Sequence, residues 1–207
     1  MYKYFFKRFF DIILSGVGMI VLLPVYILIA IYVAVFMGFP ILFGQERIGK
    51  GEKTFKLYKF RSMTNKKDAN GNLLPENERL TKAGVFLRNS SLDELPELWA
   101  IFVGKMSIVG PRPMPTYYAP YFKHEERKRH TIRGGLIPPD SLSGKAITTY
   151  EEQFEYECYY ADNISLLLDI KVILKTFKIL FMRVESDYGT CERPHLNVER
   201  KDMILKK

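Results

Sequence analysis

Cysteine and histidine are scarce. The chain carries two cysteines, Cys158 and Cys191, and three histidines, His124, His130 and His195. Two cysteines are too few for a disulfide scaffold, so a reducing compartment is expected. The histidines are scattered and share no ligand spacing with the cysteines, which argues against a zinc site. Internal repeats and low-complexity tracts are absent. Charge is missing altogether between Ile12 and Gly44, and Ile12 to Val35 is almost wholly apolar. At about 1.5 Å of rise per residue, roughly 20 helical residues cross the hydrocarbon core of a bilayer. The run is therefore long enough for membrane. It is too long for the apolar part of a secretory signal, and no small-residue cleavage site follows it.

What is present bounds the rest. A chain of 207 residues and 24.2 kDa makes one or two ordinary domains. Hydrophobic residues at 47% and charged residues at 26% exclude a disordered chain, and a net charge of +8 favours anionic partners. Pro24 stands inside the apolar run and predicts a kink there. Lys3, Lys7 and Arg8 precede the run; Arg47, Lys50, Lys53, Lys56, Lys59 and Arg61 follow it. Basic residues beside a membrane segment prefer the cytoplasm, and a straight span would force one cluster across. A helix that dips in, breaks at Pro24 and returns satisfies both. Backbone groups freed at the bend need partners, for which Ser15 or a neighbouring segment is a candidate. Asp11 beside Lys7 and Arg8 fits an interfacial ion pair.

The whole reads as an α/β-type, mostly helical, membrane-associated globule. Residues 1–44 are expected to form the re-entrant hairpin, 45–184 a domain on the cytoplasmic face with membrane-surface helices, and 185–207 a polar tail. Thr54–Met63 is rich in strand formers and would place Lys59 and Arg61 on one face. Asn70-Gly71 signals a turn. Helical candidates lie in Glu78–Trp99, Tyr117–Arg133, Glu151–Tyr160 and Ser165–Val184. Gly44–Lys50 has the glycine and lysine spacing of a phosphate-binding P-loop. Gly51 stands where the magnesium-holding Ser or Thr belongs, and no strand–loop–helix context surrounds it, so the match is a decoy.

Three stretches carry chemistry. In Ser91-Leu92-Asp93-Glu94-Leu95-Pro96, Ser91 and Glu94 have capping-box spacing, which predicts a helix starting near Leu92 or Asp93. Asp93 and Glu94 then either cap that helix or serve as a nucleophile beside a magnesium site; the two roles are compatible. In Gly110-Pro111-Arg112-Pro113, two prolines present the Arg112 guanidinium with little loss of freedom, which suits bidentate binding of phosphate. Asp162-Asn163 can cap the helix Ser165–Val184, where Lys171, Lys175 and Lys178 form a basic stripe on an apolar body. That helix either lies on an anionic membrane surface or packs in the core with one solvated face. Asp169, opposite the lysines, needs a partner: a structural Arg or Lys, or a functional metal or phosphate-binding group.

These motifs, with Lys7-Arg8-xx-Asp11, Lys59-Phe60-Arg61-Ser62-Met63 and Asn163-x-Ser165-xxx-Asp169, resemble the monotopic phosphoglycosyl transferases, or bacterial sugar transferases, nearly end to end. The resemblance implies a small catalytic-core member at the bacterial cytoplasmic membrane. It implies transfer of a phosphosugar from a UDP-sugar to polyprenyl (undecaprenyl) phosphate, with Mg2+, at the start of glycoconjugate assembly, and leaves room for a homodimer. Carried over, Asp93 is the nucleophile on the β-phosphorus, and Glu94 holds magnesium with it or helps deprotonate the lipid phosphate. Lys59, Arg88 and Arg112 neutralise phosphoryl charge. The chain departs from its relatives at Arg133–Lys145. There, Asp140 is placed by charge to meet an amino-sugar ammonium, and Lys145 keeps a positive charge of the family pattern. The alternative is a catalytically silent membrane-surface scaffold binding anionic lipid or glycan-assembly partners. Nucleic acid is not an expected partner, because the basic residues are dispersed and no such fold signature occurs. An Asp-x-Asp glycosyltransferase is disfavoured because no such triplet is present.

Overall fold

The computed structural model describes residues 1–145, 147–184 and 194–202. Cys191 and the rest of the expected tail, 185–193 and 203–207, lie outside the described residues. A π-helical turn, Tyr2–Phe6, leads into α1 (Lys7–Val21), and α2 (Leu23–Met37) follows. The break falls at Leu22 and bends the pair by 63°. Pro24 sits in the first turn of α2, where a missing N–H breaks no helical bond, so the expected kink becomes the start of a new helix. Among the described residues no single helix is long and apolar enough to cross a membrane; the bent pair passes that test together by length and composition. Ser15 does not serve the bend. Its hydroxyl donates within α1, to Asp11 O at 2.5 Å and Ile12 O at 3.3 Å.

β1 (Leu42–Ile48) and β2 (Thr54–Phe60) pair antiparallel, with Leu42 opposite Phe60 and Ile48 opposite Thr54. The P-loop look-alike is therefore mostly strand. β2 ends before Arg61, so Lys59 and Arg61 diverge: Arg61 donates to Phe39 O at 2.9 Å and to Met37 O. Next come α3 (Glu76–Arg79) and α4 (Lys82–Asn89), a 3-10 turn at Leu92–Glu94, α5 (Glu97–Phe102) and β3 (Met106–Val109). Tyr117–Arg133 is not one helix. It holds two 3-10 segments, Thr116–Tyr121 and Glu125–Thr131, and leads to β4 (Gly134–Ile137), which pairs parallel to β3. After a 3-10 turn at Pro139–Ser143 come α6 (Tyr150–Asp162), α7 (Leu166–Val184) and α8 (Leu196–Glu199). α6 starts on a capping box of Thr149 and Glu152. At α7 the Ser165 hydroxyl accepts from Leu168 N at 3.3 Å, whereas Asn163 donates back to Tyr159 O at 2.9 Å. The expected Asp162-Asn163 cap is thus replaced by Ser165.

The bent pair is fixed to the globule by opposite devices. α2 is apolar all round and buries one stripe, Ile29, Val33 and Met37, against Phe60 of β2 and Leu87 of α4. α1 turns its few polar groups inward: Asp11 and Ser15 are its buried residues, while Ile20 and Val21 are 76% and 68% exposed. Asp11 accepts from Ser107 Oγ at 3.0 Å and Ile108 N at 2.9 Å on β3, so it does not form the expected pair with Lys7 or Arg8. Arg8 donates to the carbonyls of Ile101 and Phe102 at 2.6 and 2.7 Å, at the carboxyl end of α5. Lys7 reaches Asp169 of α7 at 2.8 Å. The segment 194–202 is not a free tail. Leu196 is fully buried, and Arg200 binds Glu126 at 2.7 Å and Glu151 at 2.6 Å.

The second 3-10 segment buries His130 against Phe122. Burial, then the charge of neighbouring Arg129, pushes its imidazole down to about 4, partly offset by Glu52. The unfolded chain takes up this proton near pH 6.5, the native chain only near pH 4. Stability therefore falls as pH drops through that window, by about 2–3 kcal/mol from this group. Thermal melts of wild type and His130→Gln between pH 7.5 and 4 should converge on acidification. A constant difference across the range would refute the assignment.

Candidate active site

The capping box expected at Ser91 and Glu94 is not formed. Ser91 has φ 55° and its side chain caps nothing; the turn Leu92–Glu94 stands apart from α5, which starts at Glu97 after Pro96. A non-glycine residue in the left-handed region carries strain, and such strain gathers at functional sites. Its effect here is concrete: neither carboxylate is absorbed by helix capping. Glu94 Oε1 instead accepts from Lys59 Nζ at 2.6 Å and from Arg112 Nη2 at 3.0 Å. Lys59 also reaches Glu97 Oε1 at 3.1 Å. One residue from β2, one from the proline-bracketed loop and two from the Leu92–Phe102 region thus meet at one point. Glu97, buried on α5, was not singled out by the sequence, although it lies in the same run.

Asp93 is buried, and among the described residues the ion pairs at this turn go to Glu94 and Glu97, none to Asp93. Burial, then the like charge of Glu94, raises its carboxyl above the usual range, while Lys59 and Arg88 pull the other way. Arg88, in the last turn of α4, is held by donating from Nε to Ser62 Oγ at 3.0 Å. Glu94 behaves oppositely. Burial alone would raise it, but Arg112 and Lys59 outweigh burial and bring it down to about 2. A carboxylate that acidic is a weak base at neutral pH. Both roles expected for Glu94, holding magnesium and assisting deprotonation of the lipid phosphate, place it beside the cations that it already gathers.

A cleft of about 610 Å³ opens beside this turn. Its wall carries charged groups, Glu94, Arg112, Asp140 and Lys145, together with apolar ones that include Leu22, Leu98 and Phe177. Leu22 is the residue at which the bent helix pair breaks. Asp140 accepts from Thr148 Oγ1 at 3.0 Å and its charge reaches Arg112. Lys145 pairs with Glu152 at the exposed rim. Asp169 is not brought to the cleft. Of the two kinds of partner expected for it, the structure supplies the structural one: Lys7 at 2.8 Å, with Tyr2 at 2.6 Å and Tyr160 also donating. Its side chain packs the amino end of α1 onto α7 instead of facing a ligand.

For magnesium the donor set is two adjacent carboxylates, Asp93 and Glu94. Among the described residues no group of three or more His, Cys, Asp and Glu is arranged to hold a metal. Magnesium commonly takes one or two carboxylates and completes its shell with water and substrate phosphates. Burial first, and then the like charge of Glu94, raise Asp93, and a bound cation would offset both, so the residues fit.

The lysine stripe of α7 is outward-facing, with Lys171 and Lys178 exposed beside Leu167 at 79% and Leu174 at 64% exposure. Comparison with known proteins gives this geometry a context. The chain is 36% identical over 195 residues to the uncharacterized sugar transferase EpsL of Bacillus subtilis, covering 94% of each. It is 34% identical over 181 residues to the UDP-glucose:undecaprenyl-phosphate glucose-1-phosphate transferase of Klebsiella pneumoniae, 83% of this chain and 39% of that protein. It is 30% identical over 184 residues to the UDP-N-acetylgalactosamine-undecaprenyl-phosphate N-acetylgalactosaminephosphotransferase of Aeromonas hydrophila, 85% of this chain and 44% of that one. The chain thus spans nearly the whole of the first and less than half of the other two. Residues 2–183 match the family described as Bacterial sugar transferase, and the chain belongs to that family.

Proposed function

We propose that the protein moves a sugar 1-phosphate from a UDP-sugar to undecaprenyl phosphate at the cytoplasmic face of the bacterial inner membrane. The observation that carries the reading is the division of labour at Asp93-Glu94. Glu94 gathers Lys59 and Arg112 into one cationic cradle, while Asp93 beside it stays out of the ion pairs. An oxygen of Asp93 attacks the β-phosphorus of the donor. A carboxylate–phosphorus bond forms, the bond from that phosphorus to the bridging oxygen breaks, and UMP leaves with the electron pair. A phosphate oxygen of the lipid then attacks the same phosphorus and regenerates the carboxylate. Lys59, Arg88 and Arg112 supply positive charge where the phosphoryl oxygens gain negative charge. Asp93 and Glu94 would hold magnesium, which would supply the positive charge that offsets repulsion between the diphosphate and the nucleophile.

The cleft suits two substrates of this kind, because its wall offers both charged side chains for phosphates and apolar ones for a prenyl chain. Membrane association is supported by the outward apolar faces of α1 and α7. The bent pair is read as re-entrant because its two basic flanks then share one side. Asp140, on the polar wall, is assigned to the sugar.

The test is mass spectrometry of the protein trapped after exposure to a panel of UDP-sugars, with UMP release followed in parallel. The expected adduct is a phosphosugar on Asp93. The panel includes an amino sugar and its N-acetyl relative, and Asp140→Ala should weaken use of the amino form more. An adduct elsewhere, or no UMP from any donor, would end the reading; equal effects on both sugars would end the role of Asp140.

A further inference from the structure

The loop Pro111–Pro113 has one backbone N–H and three carbonyls, since proline donates nothing. All four groups are engaged. Arg112 N donates to Glu157 Oε1 at 2.8 Å, and Arg112 O accepts from Arg129 Nη2 at 2.6 Å. Pro111 O accepts from Gly135 N at 2.9 Å, and Pro113 O accepts from Arg47 Nη1 at 3.3 Å. The approach is close: a Cβ on Gly134 would stand 2.6 Å from Pro113 Cγ, and one on Gly135 would stand 2.1 Å from Gly110 N. The side chain of Arg112 is free to do its work only because its main chain is completely spoken for.

Two of the four contacts come from one ion pair. The side chains of Arg129 and Glu157 are 1% and 0% exposed and join at 2.6 Å. The Arg129 guanidinium lies 5.3 and 5.0 Å from the ring centroids of Phe122 and Phe154. Glu157 also accepts from Gln153 at 3.0 Å. Burying two charges costs several kcal/mol per ion, and apolar residues of similar volume often stabilise a fold as well or better. As packing alone, the pair between α6 and the Glu125–Thr131 segment is a poor choice. What apolar residues would not supply is an acceptor for Arg112 N and a donor for Arg112 O at once.

We propose that Arg129 and Glu157 are positioning residues: their buried ion pair grips the main chain of Arg112 from both sides and thereby aims its guanidinium at Glu94 and the substrate phosphate. The inference rests on the transferase reading for its kinetic readout only. Arg47 completes the grip from β1, inside the segment whose sequence imitates a P-loop.

The experiment is a double-mutant cycle on the full chain in detergent. Arg129→Met with Glu157→Leu should lower kcat/KM for UMP release by about tenfold or more. The same pair of changes in an Arg112→Ala background should cost less than about twofold, since the residue through which they act is gone. Phenylglyoxal labelling of Arg112, mapped by mass spectrometry, supplies an activity-free readout. The Arg112 side chain is 48% exposed and paired with Glu94, and loosening it should speed its labelling severalfold. Equal losses in both backgrounds, or labelling of Arg112 unchanged, would overturn the proposal. If the paired replacement does not fold, Arg129→Lys, which keeps the charge but cannot bridge Glu157 and Arg112 O together, carries the same comparison. Wild-type protein that releases no UMP from any donor would refute the transferase reading, and the labelling then decides the positioning role alone.

Discussion

Asp93→Asn is expected to reduce UMP release by at least about a thousandfold and to abolish the trapped adduct. The amide nearly matches the carboxylate in shape but offers no anionic oxygen to phosphorus, so the loss is one of chemistry and not of binding. Burial and Glu94 raise the native carboxyl, and an uncharged amide at this position removes a repulsion. The variant should therefore fold at least as stably as wild type. Glu94→Gln is predicted to differ. It frees Lys59 and Arg112 from their shared anchor, lowering turnover by about a hundredfold while leaving a nucleophile in place. A slow adduct on Asp93 in Glu94→Gln, with none in Asp93→Asn, is the discriminating pattern. Appreciable turnover in Asp93→Asn would remove the nucleophile from the mechanism.

Asp169→Ala is expected to have the largest effect on stability. The side chains of Lys7 and Asp169 are 11% and 8% exposed, so removing the carboxylate leaves an ammonium buried without its counter-charge. The Tyr2 hydroxyl loses its acceptor at the same time, and that of Tyr160 is left with the carbonyl of Val109 at 3.3 Å. Breaking a buried pair from one side typically costs 3–5 kcal/mol, or about 10 °C in Tm for a chain of this size. Lys7→Met combined with Asp169→Leu removes both charges and should recover much of the loss. A melting temperature within about 2 °C of wild type in Asp169→Ala would show that the contact contributes little.

The parts of the molecule that sequence makes legible are those set by local pattern. The apolar run with its proline, the strand formers before Arg61, the Asn70-Gly71 turn and the helices of the carboxyl half follow from period, β-branching and turn chemistry, and the helices and turn lie close to where those rules put them. Several of the failures share a cause: a long-range partner outbid a local one. Ser91 and Glu94 have the spacing of a capping box, yet Lys59 and Arg112 claim the carboxylate from distant parts of the chain. Asp11 lies one turn from Lys7 and Arg8, yet it turns to β3 while they turn to α7 and α5. Asp169 looked functional because a carboxylate among leucines needs an explanation, and the explanation lies 162 residues away at Lys7. Glu157 and Arg129 gave no local signal at all, being one acid in an acidic helix and one base in a basic stretch. What distinguishes them is burial, which only the fold assigns.

The break in the amino-terminal helix pair forms part of the cleft wall at Leu22, and the Tyr26 hydroxyl just beyond it donates to the carbonyl of Leu95, next to the catalytic turn. Because α2 packs on β2 and α4, and α1 is bonded to β3, α5 and α7, the tilt of that pair is set by the globule on which it is anchored. A displacement of the pair would therefore be felt at the turn that carries Asp93 and Glu94, through the side chains of Leu22 and Tyr26.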